Sequence, residues 1–291
     1  MSAGYHHRMS IPCAAVRSAC APSGPPATRL VPRRRRSAAG GVPGALILLS
    51  ALSGVACGGG GGEAPASVPA ATATDTANGP GVITGTISYA GPPPAARPLP
   101  MDSDPKCVPL AGATSERLLV GAGNGLQNVF VWVKDGLGQR TYAVPTTTVM
   151  LDQKGCQYIP HVIGAQVGQT IKVANSDTAL HNVHAVPKGN REFNFSQPAN
   201  VPPVDRVFTQ PEIGIPLKCD VHGWMSAYAN VVPHPFFAVT GADGRFEIKG
   251  LPAGTYTIEA WHETLGVQTM TATVDGTTPA AVTAVFKSTE S

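Results

Sequence analysis

The stretch Leu217–Tyr228 reads LKCDVHGWMSAY and sets a thiol, an imidazole and a thioether at intervals of three: Cys219, His222 and Met225. All three are soft or borderline metal donors. The spacing alone is compatible with several sites. Structural zinc asks for four ligands and usually a second Cys or His pair, and no second Cys-x-x-Cys or Cys-x-x-His occurs in the chain. Haem attachment requires a second cysteine directly before the histidine, and Cys-Asp-Val-His lacks it. What the stretch means therefore depends on what surrounds it.

The surroundings read as β-structure. The 291 residues include 33 glycines and 28 prolines, and only 13% are charged, a balance that favours short strands joined by turns. From Val82 onward, short runs such as VITGTISY, NVFVWV, TTTVML, QTIKVAN, RVFTQ, AYANVV, FFAVT, RFEI, TYTIEAW and VQTMTATV are bounded by Gly, Pro, Asn or Asp. Several alternate apolar and polar residues, and no window keeps an apolar period near 3.6, so an all-β sandwich is expected.

The N-terminal region is different in kind. Residues 1–57 hold seven arginines and no acid, which leaves 14 Lys and Arg against 18 Asp and Glu in residues 58–291, a net charge of −4. The basic character belongs to this leader, and nothing in the remainder has a nucleic-acid footprint. Arg33–Arg36, the apolar run GGVPGALILLSALSGVA and then Cys57 before GGGGG resemble a bacterial lipoprotein signal. That resemblance implies an exported protein anchored through lipid on Cys57, whereas plain secretion with cleavage nearby is the alternative. Gly54 departs from the large aliphatic residue usual in such signals. Residues 58–80, rich in Gly, Ala, Pro and Thr, read as a disordered tether. An extracytoplasmic location, periplasmic or at the cell surface, is expected either way.

Residues 146–235 resemble the cupredoxin (blue-copper) family over their whole length. VGQTIKVAN is similar to the family's turn into a long strand, LHNVHAV to the loop giving the first histidine ligand, and RVFTQPEIGIPLKC to the strand leading to the copper cysteine. CDVHGWM resembles the shortest ligand loop of the family, the amicyanin-like Cys-x-x-His-x-x-Met, with Gly223 where proline is frequent. The resemblance implies a Greek-key sandwich holding one type 1 copper on His181, Cys219, His222 and Met225. It makes Asn182 a residue tying the His181 loop to the Cys219 loop. It also implies that the imidazole edge of His222 is exposed to a redox partner. His184 lies three residues past His181, which in a strand is the opposite face. His161, Trp224 and His262 read as packing residues.

The segment VTGADGRFEIKGLPAGTYTIEAW (239–261) resembles the carboxypeptidase regulatory-like, transthyretin-type sandwich, a carbohydrate-binding-like fold. It reads as a hairpin turning at ADGR, with a second turn at LPAG. The opening strands of such a domain, GVITGTISYAG and GLQNVFVWV, occur some way upstream. Residues 81–145 and 236–288 are thus expected to form one sandwich with the cupredoxin segment inserted; two consecutive sandwiches are the alternative. If Cys219 is a copper thiolate, Cys107 and Cys156 remain as a pair, either a disulfide joining the two parts or two free thiols.

The function implied by the family is single-electron transfer to a redox protein, without enzymatic activity. Multicopper enzymes place His-x-His or His-Cys motifs around further centres, and the chain has neither. An exported binding module for polysaccharide or protein is the other reading. Its sugar platform would have to come from Trp132, Trp224 and Trp261, which lie in different segments. Contact with membrane is expected only through the lipid anchor.

Overall fold

The computed structural model describes residues 74–75, 79–110 and 112–288; the leader with Cys57 and most of the tether lie outside the described residues. Alternation makes the strands. In Gly81–Ala90, Ile83, Ile87 and Tyr89 are buried and their neighbours less so. In Gly254–His262 the buried set is Tyr256, Ile258, Ala260 and His262, again every second residue. Among the described residues there is no α-helix, only three short 3-10 turns at Met101–Ser103, Val108–Leu110 and Ala122–Asn124.

The strands are β1 (Thr74–Asp75), β2 (Gly81–Ala90), β3 (Phe130–Asp135) and β4 (Thr141–Tyr142). Next come β5 (Val149–Gln153), β6 (Tyr158–Ile159), β7 (Val162–Gln166), β8 (Ile171–Asn175) and β9 (His181–Ala185). They are followed by β10 (Phe193–Gln197), β11 (Val204–Arg206), β12 (Glu212–Lys218) and β13 (Ser226–Val232). The last are β14 (Phe237–Val239), β15 (Arg245–Leu251), β16 (Gly254–His262), β17 (Gly266–Val274) and β18 (Ala280–Lys287).

Strands β5 to β13 build two sheets, ordered β10-β9-β12-β13-β7 and β11-β8-β5-β6, around a core that includes Leu151, Tyr158, Val173, Val183, Ile215 and Val231. Strands on either side of this block in sequence share a second sandwich. Its sheets are β14-β3-β16-β17 and β15-β2-β18, with Ile83 paired to Ile248 and to Ala280. Its core includes Ile87, Val131, Val133, Phe246, Ile258 and Phe286.

The run FVWV in β3 is apolar without alternation because both of its faces are covered. Val131 and Val133 enter the core of their own sandwich, while Phe130 and Trp132 pack on Val162 and Val232 of the other. Gly164 of β7 permits this approach, since a Cβ there would fall 2.6 Å from ring carbons of both Phe130 and Phe237.

Two expectations need correction. ADGR and LPAG do not close hairpins: β14, β15 and β16 lie in alternating sheets, with β15 paired to β2 and β16 to β3 and β17. Each turn carries the chain across the sandwich, because Phe246 and Ile248 of β15 and Tyr256 and Ile258 of β16 meet face to face in one core rather than side by side. Within the segment expected to be a disordered tether, the described residues Thr74, Asp75 and Gly79 make backbone contacts. Thr74–Asp75 pair in parallel with Thr141–Tyr142, and the Gly79 N–H donates to the Gly250 carbonyl at 3.0 Å.

Candidate metal centre

Strands β12 and β13 are antiparallel neighbours in register, Lys218 opposite Ser226, so Cys219–Met225 is the loop that joins them. The loop is pinned from within: Cys219 N–H donates to the Met225 carbonyl (3.3 Å), and Met225 N–H donates to the His222 carbonyl (2.9 Å). This turns the Cys219 thiol, the His222 ring and Met225 inward, at 3%, 1% and 2% exposure. Strand β9, on the other side of β12, begins at His181, which is fully buried.

The donor atoms of His181, Cys219 and His222 all lie within 4.8 Å of one another. The two Nδ1 atoms are 2.9 Å apart, and Cys219 Sγ is 3.8 Å from His222 Nδ1. Asn182 links the two loops. Its Oδ1 accepts the N–H groups of Asp220 (2.7 Å) and Val221 (3.3 Å) and lies 3.3 Å from Cys219 Sγ, while Nδ2 donates to Asn194.

Two carboxylates that the sequence reading missed orient the imidazoles. His181 Nε2 is 2.9 Å from Asp177 Oδ2, and His222 Nε2 is 3.0 Å from Asp104 Oδ2. A carboxylate accepts from an N–H, so each Nε2 carries the proton and each Nδ1 presents its lone pair. Two bare lone pairs 2.9 Å apart repel, so the geometry requires something positive between them. In the metal-free chain that is a proton. Burial pushes the His181 pKa down, but hydrogen bonds to Asp177 and Cys219 more than offset it and lift it to about 9. Burial likewise raises the Cys219 thiol, but hydrogen bonds from His181 and from the Asn182, His222 and Val221 amides bring it below its usual value. Paired imidazole nitrogens, a thiol biased towards thiolate and a buried thioether in the same loop fit a soft, singly held cation such as copper.

The exposed His222 edge implied by the family resemblance is absent. His222 is 1% exposed because residues 101–107 cover it: Asp104 bonds its Nε2, and the Cys107 sulfur lies 3.9 Å from the same atom. Cys107 forms a disulfide with Cys156, which joins this covering segment to the β5–β6 turn. Met101, Cys107, Cys156 and Ala179 form a small apolar cluster against Trp224. The Trp224 ring lies 4.9 Å from the His222 ring, and its Nε1–H donates to the Cys156 carbonyl.

The remaining histidines among the described residues stand apart from the centre. His184 faces outward between Glu192 (2.8 Å) and Asp220 (3.0 Å). His161 is buried and hydrogen-bonded to Glu263 of the other sandwich, so it joins the two sandwiches rather than filling space. His262 ends β16, buried. Trp132 and Trp261 face the junction between the sandwiches, Trp261 against Tyr228 at 5.3 Å, and neither offers a flat exposed platform with Trp224.

No family model matches the chain, and no curated protein sequence matches it. Solved structures with partial likeness include a Cu-containing nitrite reductase (NirK) from Thermus scotoductus SA-01, with 18% identity and a TM-score of 0.28. The overlap covers 33% of this chain and 25% of that one, so the chain spans about a quarter of the nitrite reductase's length. A purple cupredoxin from Nitrosopumilus maritimus gives 18% identity over 28% of this chain and 98% of its own, with a TM-score of 0.25. An oxidised amicyanin variant gives 18% over 40% and 93%, with a TM-score of 0.27.

Proposed function

We propose that the chain is an exported type 1 copper protein that carries single electrons, its copper-binding sandwich (146–235) inserted into a regulatory-like sandwich (81–145 and 236–288). The observation that carries this reading is the convergence of His181 Nδ1, His222 Nδ1 and Cys219 Sγ in a buried pocket, with Met225 closing the same loop. These residues would hold the ion, which would supply a one-electron couple. The chain's own residues do the rest. Asp104 and Asp177 fix ring orientation through the Nε2 protons, Asn182 locks the thiol loop, and the cluster around Met101 and the disulfide keeps water from the imidazoles.

Anchoring through Cys57 and a periplasmic or cell-surface location belong to the same proposal and follow from the leader's sequence. So does a redox protein as partner. Voltammetry of the copper-loaded chain tests the role: one reversible one-electron wave is expected, without added current on nitrite or dioxygen. A catalytic current on either would replace the carrier role with an enzymatic one.

A further inference from the structure

The two imidazoles of the centre face a second set of donors. The Cys107–Cys156 pair lies between two His–Asp pairs. Donor atoms of Asp104, Cys107 and His222 lie within 4.8 Å of one another, and so do those of Cys156, Asp177 and His181. Cysteines enter a chain as thiols, and they become a disulfide only when an oxidant removes two electrons and two protons. In the dithiol form both sulfurs are metal donors in their own right.

The distances suit zinc. On one tetrahedral zinc ion a thiolate and an imidazole stand about 3.6 Å apart, and an imidazole and a carboxylate about 3.4 Å. Cys107 Sγ is 3.9 Å from His222 Nε2, and Asp104 Oδ2 is 3.0 Å from that same nitrogen. Two thiolates on one zinc are about 3.8 Å apart. Cysteines whose Cα atoms are 5.9 Å apart reach that separation by side-chain rotation. Nε2 of His222 is free to bind once the ring's proton sits on Nδ1. There the proton donates to His181 Nδ1, 2.9 Å away, and removes the repulsion between two lone pairs. Asp177 already accepts the Gly155 and Cys156 N–H groups and His181. Asp104 takes the Lys106 N–H on Oδ1 and keeps Oδ2 towards His222. Met101 and Ala179 cluster with the two cysteines and close the site, while the Asp104 side chain, 26% exposed, marks the way in for an ion.

We propose that the dithiol form of the chain binds one divalent cation of the zinc class on Cys107, Cys156, His222 Nε2 and Asp104. The four-ligand site and the disulfide exclude each other, because both use the same two sulfurs. The site does not depend on the copper reading.

The test uses the full chain carrying Cys13→Ser, Cys20→Ser, Cys57→Ser and Cys219→Ala, which leaves Cys107 and Cys156 as its only cysteines. A phosphine reduces the disulfide, and Co2+ is titrated in as a spectroscopic stand-in for Zn2+. One equivalent should give thiolate-to-cobalt bands in the near ultraviolet and intense tetrahedral bands in the visible, all bleached by Zn2+. The unreduced chain should give neither. In the reduced chain, Cys107→Ser and Asp104→Asn should each weaken Co2+ binding at least about 10-fold, the lower end of the range even for residues that only support a metal ligand. Uptake without thiolate bands, equal bands in the unreduced chain, or an affinity undiminished by either substitution overturns the proposal. Should reduction unfold the chain, one equivalent of Zn2+ is expected to restore its near-ultraviolet circular dichroism, and no recovery overturns the proposal as well. Because Cys219 is absent throughout, failure here leaves the copper centre standing, and failure of copper loading leaves this result standing.

Discussion

Asn182 adds with one amide to the hydrogen bonds the Cys219 loop makes within itself. Its Oδ1 gathers two backbone N–H groups at the start of the Cys219 loop, while its backbone belongs to the strand that carries His181. Asn182→Ala leaves those N–H groups without their buried acceptor, at about 1–3 kcal/mol, and lets the two ligand loops drift apart. Cu(II) affinity, measured by chelator competition, should fall about 10–100-fold, the range for residues supporting metal ligands. Asp177→Asn should fall in the same range through loss of the Nε2 anchor on His181. Unchanged affinity in both would show that these residues pack the site without orienting it.

The four proposed ligands were legible in the sequence because three of them share one loop, and the fourth directly precedes the asparagine that anchors it. Asp177 could have been suspected from its place four residues before His181. Asp104 could not: it is 118 residues from His222, in a stretch of 3-10 turns with no strand pattern to place it.

At the scale of elements, the segment carrying Asp104 is the least regular part of the described chain and the one that most changes the site. Its hold is covalent. The Cys107–Cys156 bond closes 49 residues of sequence separation, which in the chain-entropy model is a stabilisation of about 4 kcal/mol. Cys107→Ser should therefore lower the urea midpoint and should expose His222 to modification by diethyl pyrocarbonate. A protected His222 in a folded variant would mean that Asp104 and the Met101 cluster hold the segment unaided.

The turns teach a related lesson. ADGR and LPAG announce reversals of direction, and those reversals occur, but local turn chemistry does not say whether the returning strand pairs with its predecessor or crosses to the facing sheet. Burial of Phe246 and Ile248 against Tyr256 and Ile258 settles that, and such contacts are not encoded within four residues. Gly164 marks where the sandwiches meet; Gly164→Val should cost about 1–3 kcal/mol by forcing Phe130 and Phe237 aside.

The molecule as a whole joins a sandwich rich in buried apolar residues to one that carries the proposed ligands, and the first holds two buried imidazoles that make it sensitive to mild acid. His234 and His262 are buried and neutral; burial lowers each pKa from 6.5 to about 4. His234 Nε2–H donates to the Val133 carbonyl, while His262 Nε2 has no partner. In both cases the unfolded chain binds the proton more readily. Their contribution is complete above pH 6.5, falls as pH drops towards 4 and is lost below it, each up to about 3 kcal/mol. Urea unfolding of the metal-free chain across this range should show the loss, and His234→Gln should flatten it by about one proton's worth. A flat profile would mean that neither imidazole is buried as described.

The centre itself is tested most directly by the visible spectrum of the full chain loaded with Cu(II), beside Cys219→Ala. An intense thiolate-to-copper band in the red region, absent from the variant, is the predicted result. Copper bound without that band, or not bound at all, would contradict a type 1 site on His181, Cys219, His222 and Met225.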